Sequence, residues 1–435
     1  MSASLPDLPE LRPRVWPIAL WLLAMVAVAW WGYWLEDTGQ QDLVLFGTQP
    51  FLGGPLEPKV EFLLLPAAAA VAGVVLLPVI SRRLPWRWLL IVGVVWASVW
   101  SWTLTTARGW SDFLRPLYRD DDYLTALPIR DIPEFLGRFT DQILTYAVHV
   151  QGHPPGQVVL LALADRLGLA SPWVVAVIYV LVGCSAVAAA AVAVRALAGS
   201  EGETLARRMF PAAVLAPAAV WIATSPDAFF SGVLAWGVAL LAIASTASGW
   251  PKWLAATGAG VLLGLCPFLS YGLLTMGLVA VAVLVHTRAW RVFGYTAALV
   301  VLQVFLWAAA GFRIDEGILA TRHAWQLNGA SVRPYWYFLF ANIVVLATLI
   351  GPAVLASLPR VTRLAKPVPL FVLLAFTAAV LGALSGFMRG EVERIWLPLT
   401  PWLMLAGAVV GPRRGWLLAQ AAVALALAAF IDSPW

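Results

Sequence analysis

Residues 60–106 read VEFLLLPAAAAVAGVVLLPVISRRLPWRWLLIVGVVWASVWSWTLTT. Two long apolar runs, 60–80 and 88–106, flank a short connection that carries Arg82, Arg83 and Arg87. Each run is close to the ~20 residues a helix needs to cross a bilayer. Short loops rich in Arg and Lys stay on the cytoplasmic side. This stretch therefore reads as a transmembrane hairpin that turns in the cytoplasm, and it sets the fold class for the whole chain.

The composition agrees. The 435 residues are 61% hydrophobic and only 12% charged, with mean hydropathy +0.84. Soluble domains carry roughly 25% charged residues. The 24 tryptophans suit a protein with many membrane–water interfaces. The net charge of +5 comes from short, scattered basic clusters, so nucleic acid is not an expected partner. Cys184 and Cys266 fall in separate apolar runs and read as small buried hydrophobes. No metal site is read from His149, His153, His286 and His323. Arg12 and Arg14 precede an apolar run without a small-residue cleavage site, which predicts an uncleaved anchor.

Apolar segments fall at 16–34, 60–80, 88–106, 172–194, 210–224, 228–247, 254–269, 271–286, 292–312, 335–358, 368–387, 396–411 and 415–431. They predict an all-α polytopic protein of about thirteen spans. The pair 254–269 and 271–286 also admits a single helix broken around Pro267. With the N-terminus cytoplasmic, the inner loops collect 16 of the 28 basic residues against only four acids, Asp7, Glu10, Glu201 and Glu203. The odd count puts the C-terminus outside. Region 1–106 supplies the anchor and two further helices, and 107–171 a large extracytoplasmic loop. Region 172–435 forms the rest of the bundle, with outer loops 313–334 and 388–395. Within the large loop, Ile132–Val148 and Pro155–Leu169 have amphipathic spacing and predict two juxtamembrane helices on the outer leaflet.

The outer face gathers the chemistry-bearing residues. Asp120-Asp121-Asp122-Tyr123 is a dense acidic cluster, and His153-Pro154-Pro155-Gly156 follows thirty residues later. Ionisable groups near lipid are expensive to desolvate. Three crowded carboxylates cannot all ionise freely, so one of them is expected to hold its proton longest. The alternative is a solvated acidic turn that caps a helix starting near Leu124. His153 reads equally as a functional group or a turn residue, while Pro154 and Pro155 set a helix start.

In order along the chain, Asp121-Asp122-Tyr123, His153-Pro154-Pro155-Gly156-Gln157, Ser225-Pro226-Asp227 and Glu391-Val392-Glu393-Arg394-Ile395-Trp396-Leu397-Pro398 resemble the GT-C superfamily of polytopic glycosyltransferases. The resemblance spans most of 107–411 and is nearest to actinobacterial members acting on cell-wall polysaccharides or lipoglycans. It implies transfer of a sugar from a polyprenyl-phosphate donor to a glycan or lipoglycan acceptor, on the extracytoplasmic face, with inversion and with room for a divalent metal. One departure stands out: the acidic loop follows the third span here, whereas it follows the first in the simplest members.

Under that resemblance, one of Asp120, Asp121 and Asp122 is the base that takes the acceptor proton, with His153 beside it. Arg322, His323, Arg333, Arg389 and Arg394 are candidates to hold the donor phosphate, because guanidinium groups clamp phosphate oxygens. The alternative for them is anchoring to anionic headgroups. Glu391, Glu393, Asp227 and Tyr123 are candidates to orient the others or bind the acceptor, and Asp227 also reads as a helix cap. The rival function is a transporter or flippase of a lipid-linked sugar. A transporter predicts a repeated half and charged or broken helices at the midplane. The sequence shows no internal repeat and almost no charge inside the spans. A scaffold role fits the topology but leaves the acidic cluster unexplained.

Overall fold

The computed structural model describes residues 11–39, 52–120, 122–328 and 330–434. Helices dominate these residues, because long runs of Ala, Leu and Val without water leave the backbone no other way to satisfy its own polar groups. Among the described residues, nine helices are long and apolar enough to cross a membrane.

The chain shuttles between two ends of one bundle. Helix α1 (Trp16–Asp37) runs from the first end to the second, α2 (Leu64–Arg83) returns, and α3 (Trp86–Thr105) goes back. At the second end, 106–171 forms short helical turns and the helices α4 (Ile132–Arg138), α5 (Val148–Gln151) and α6 (Gly156–Arg166). Then α7 (Pro172–Leu197) descends, and α8 (Gly202–Val214) climbs with the turn Pro217–Trp221. Next come α9 (Pro226–Thr246), α10 (Gly249–Leu269), the short pair α11 (Gly272–Met276) and α12 (Leu278–Thr287), and α13 (Trp290–Ala309). After α14 (Ile314–Leu327) at the second end, α15 (Tyr335–Ser357) and α16 (Pro367–Leu384) cross. The last descent is a series of short turns around α17 (Val392–Ile395) and α18 (Thr400–Leu403), and α19 (Arg414–Phe430) closes the bundle.

Cross-links identify the ends. At the first, Arg207 donates to the carbonyls of Ser81 and Leu84, Arg208 to that of Ala408, and His286 meets that of Leu197. The basic turns expected to share one side do share one end. At the second, Thr321 donates to the Gln151 carbonyl, and the Cβ that Gly156 lacks would lie 2.2 Å from the Phe268 oxygen. Helix α6 docks on the bundle there.

Three expectations need correction, and the alternative at Pro267 falls in favour of two separate passages. Segments 210–224 and 396–411 are not single helices: the first joins the end of α8 to the turn Pro217–Trp221, and the second is a chain of short turns, broken where Pro217, Pro398 and Pro401 remove backbone donors. Pro267 does not break one helix in two, because it sits inside α10, and α12 is a separate antiparallel return. Ile132–Val148 is not one amphipathic helix: it divides into α4, the turn Ile143–Thr145 and the start of α5. Each break still moves the chain to the same end, so the described residues make thirteen passages, nine of them on long helices, of which α15 is kinked at Gly351.

Two fixtures hold difficult positions. Within α15, Gly351 has φ 72° ahead of Pro352, a left-handed angle that suits glycine. The Gln420 amide repairs the broken ladder, accepting from Ala353 N at 3.1 Å and donating to the Ile350 carbonyl at 3.0 Å. At the second end, the stretch after α19 lies beside 55–59. Asp432 N donates to the Pro55 carbonyl, and its carboxylate lies 3.2 Å from Arg108 and 2.8 Å from Arg115. The Trp221 indole donates to Ser433.

Candidate active site

The acidic turn follows three single-turn helices, the last being Arg115–Tyr118. Asp122 is the N-cap of the next, Tyr123–Ala126, and accepts from Leu124 N at 3.3 Å, as short carboxylates do at helix starts. Its other oxygen lies 3.8 Å from His149 Nδ1. Asp122 is 3% exposed, whereas Asp120 is open to solvent; Asp121 lies outside the described residues. Asp120 and Asp122 therefore stand in different surroundings, one in solvent and one buried. Asp122 is built into the turn.

His153 is half-buried, with Nδ1 2.9 Å from the His149 carbonyl. Its ring lies 5.7 Å from Tyr123 and 6.2 Å from Phe230. Burial lowers its pKa to about 4, with Asp227 pulling the other way, so it is neutral near pH 7. Pro154 and Pro155 lead directly into α6.

Beneath the turn runs a chain of alternating charges. Ser225 caps α9 by accepting from Asp227 N, so Asp227 is not the cap. Its carboxylate instead takes Arg394 at 2.8 Å, with the two side chains 2% and 7% exposed. Arg394 also reaches Glu391 at 3.0 Å, and Glu391 reaches Arg333 at 3.2 Å. Burial works against the charge on Arg394, but Asp227 and Glu391 outweigh it and raise its pKa. Burial likewise raises Glu391, and Arg394 and Arg333 bring it below the usual carboxylate range. Glu391 has φ 59°, a strained angle for a residue with a side chain. It is held there by two guanidinium groups.

The remaining candidates divide. Arg333 also donates to the Arg389 carbonyl. Arg389 donates to the carbonyls of Gly386, Ser331 and Arg333 and packs 5.2 Å over Trp325. Glu393 is fully buried and accepts from Gly53 N at 3.0 Å. These three hold the late loop together. Arg322 and His323 are exposed on α14, with Arg322 5.9 Å over Phe387.

Tyr123 joins the two halves. Its hydroxyl is buried without a hydrogen-bond partner among the described residues. Burial first, then Asp227 and Asp122, push its pKa up, against the pull of Arg394. Four motifs far apart in sequence thus meet around one phenol. His149 is the member the sequence reading passed over. It stands four residues before His153, a spacing that puts two side chains on one helix face. Here the pair is joined through the His149 carbonyl. Among the described residues no group of three or more His, Cys, Asp or Glu is arranged to hold a metal ion. Both cysteines are buried free thiols.

No known family model matches the chain, and no curated protein does. Among solved structures, the chain is similar to ArnT from Cupriavidus metallidurans in the apo state, at 15% identity and TM-score 0.43. The match covers 68% of this chain and 57% of that one, so it spans little more than half the length of its neighbour.

Proposed function

We propose that this multi-pass membrane protein is a GT-C-type inverting glycosyltransferase. Its donor is a polyprenyl-phosphate-linked sugar, its acceptor a cell-envelope glycan or lipoglycan, and its working face extracytoplasmic. The observation that carries the reading is the convergence of Asp122-Tyr123, His153, Asp227 and Glu391–Arg394 at one end of the bundle. The basic turns gather at the opposite end, which is the cytoplasmic one by the positive-inside rule.

The acceptor hydroxyl gives its proton to a carboxylate as its oxygen attacks the anomeric carbon. The bond from that carbon to the phosphate oxygen breaks, and its electron pair leaves on the lipid phosphate. The base is Asp120 or its neighbour Asp121, because both oxygens of Asp122 already face the Leu124 amide and His149. Asp122 holds the turn. Arg394 already lies between two carboxylates, so a phosphate reaches it only by displacing one of them. The exposed Arg322 and His323 are open to the phosphate from the start, where a cation stabilises the leaving group.

The test supplies purified protein with labelled polyprenyl-phospho-sugars and envelope acceptors and looks for a glycosylated product. Asp120→Asn or Asp121→Asn is expected to abolish turnover while donor binding stays nearly intact, since only a transition-state interaction is removed. Full transferase activity in both variants overturns the assignment of the base. Transport of the lipid-linked sugar without any glycosidic product, from the unaltered protein, overturns the enzyme reading in favour of a flippase.

A further inference from the structure

The flank of the bundle carries two apolar grooves that this chemistry does not use. One, of about 1000 Å³, runs between α1 and α15, from Trp16 and Pro359 to Trp31 and Phe340. The other, of about 650 Å³, runs between α15 and α16, from Thr362 and Lys366 to Phe376. Ile343, Ala347, Leu355 and Leu358 line both, so the grooves are neighbouring channels on either side of one helix. The α16 wall, Lys366 to Phe376, is about 15 Å long at 1.5 Å per residue. That is roughly half of a ~30 Å hydrocarbon core, the depth of a single leaflet.

Both grooves end among cations at the basic end of the bundle. Lys366 lines one mouth, and Arg360 and Arg363 belong to the turn Leu358–Arg363 beside it. Arg14 joins the other mouth through its backbone N, 2.9 Å from the Ala356 carbonyl. Arg14, Arg363 and Lys366 are exposed. Among the described residues none of these four pairs with a carboxylate, whereas Arg195 and Arg207 at the same end share Glu203. Two neighbouring apolar channels, one about 15 Å long on its α16 wall and the other about 22 Å on its α1 wall at 1.5 Å per residue, end at cations without a carboxylate partner among the described residues and match one molecule with two hydrocarbon tails and an anionic head.

We propose that these grooves hold one anionic diacyl phospholipid from the leaflet at the basic end. It straddles α15 with a chain in each groove, and its phosphate lies against Lys366, Arg363 and Arg14. Such a lipid would also seat α1, of whose 22 residues only Pro17, Trp21, Val28, Gly32 and Leu35 are buried by protein. The site is independent of the reaction proposed for the other end.

The test embeds the protein in nanodiscs of mixed phosphatidylglycerol and phosphatidylcholine, releases it and weighs it intact by native mass spectrometry. One retained phosphatidylglycerol per chain is expected, in preference to phosphatidylcholine. Removing a cation near an anionic lipid surface weakens attraction roughly fivefold, so Arg363→Gln with Lys366→Gln should cut the preference tenfold or more. Ala347→Phe, which fills the shared wall, should lower retention of both lipids. If that variant fails to fold, the exposed charge pair still decides the matter. Equal retention of the two lipids, unchanged by the double substitution, overturns the proposal. So does a lipid-free dimer whose interface covers the grooves, because the surface would then belong to a second copy.

Discussion

Replacing Asp227 with Ala is the sharpest probe of the buried charge chain. In the intact protein Arg394 lies between Asp227 at 2.8 Å and Glu391 at 3.0 Å, almost out of contact with solvent. Removing one partner of a buried ion pair costs about 3–5 kcal/mol, chiefly because the other charge is left uncompensated. Glu391 remains, but Arg333 shares it, so the expected loss is at the lower end, about 3 kcal/mol. The double variant Asp227→Leu with Arg394→Met removes both charges and should recover most of that loss, since apolar replacements of buried pairs are often neutral. The assay is a double-mutant cycle by thermal unfolding in detergent, followed through tryptophan fluorescence. The two readouts should then separate: stability returns in the double variant while glycosyl transfer stays lost. A single variant as stable as the parent, with additive effects in the cycle, would falsify the picture of a coupled buried pair.

Two further outcomes follow from local geometry. His153 is held neutral with its pKa near 4, while an unfolded histidine titrates near 6.5. Between those values the unfolded chain binds the extra proton, so stability should fall as pH drops from about 6.5 to 4, by at most about 3 kcal/mol. His153→Gln should flatten that limb of a melting-temperature profile, and an unchanged slope refutes the assignment. In α15, Gln420→Ala strands the Ala353 amide and the Ile350 carbonyl and should cost about 2–4 kcal/mol. Gly351→Ala should cost at least as much, because its Cβ would fall 2.2 Å from Gln420 Oε1 at a left-handed φ. Melting curves of the two variants check both, and a shift under 1 kcal/mol in either removes the repair role of Gln420.

Hydropathy and charge carry the passages and their two ends, because a bilayer punishes any error in either. What they miss is whether a passage is one helix. The apolar run 396–411 looks like its neighbours, yet Pro398 and Pro401 break it into turns around α18. At the site, the motif residues were legible as types but their partners were not. Nothing in the spacing says that Asp227 pairs with Arg394, a contact across 167 positions. Nor does it say that Arg389 donates to three carbonyls of the late loops. His149 left a local trace, four residues from His153, because its partner His153 lies on the same turn of chain.

The junction between Asp432 and Arg115 has a consequence for biogenesis. The two residues are 317 positions apart, and chains elongate at roughly 5–20 residues per second, so about 15–60 s separate their synthesis. Through that interval Arg115 is without the Asp432 carboxylate, Arg108 has only Glu57, at 3.6 Å, and Trp221 waits for Ser433. The end of the bundle that carries the candidate active site is thus latched by residues made long after the arginines they hold. A chain halted before Asp432 has its early helices but not this latch, so the late contacts order the assembly of that end in time.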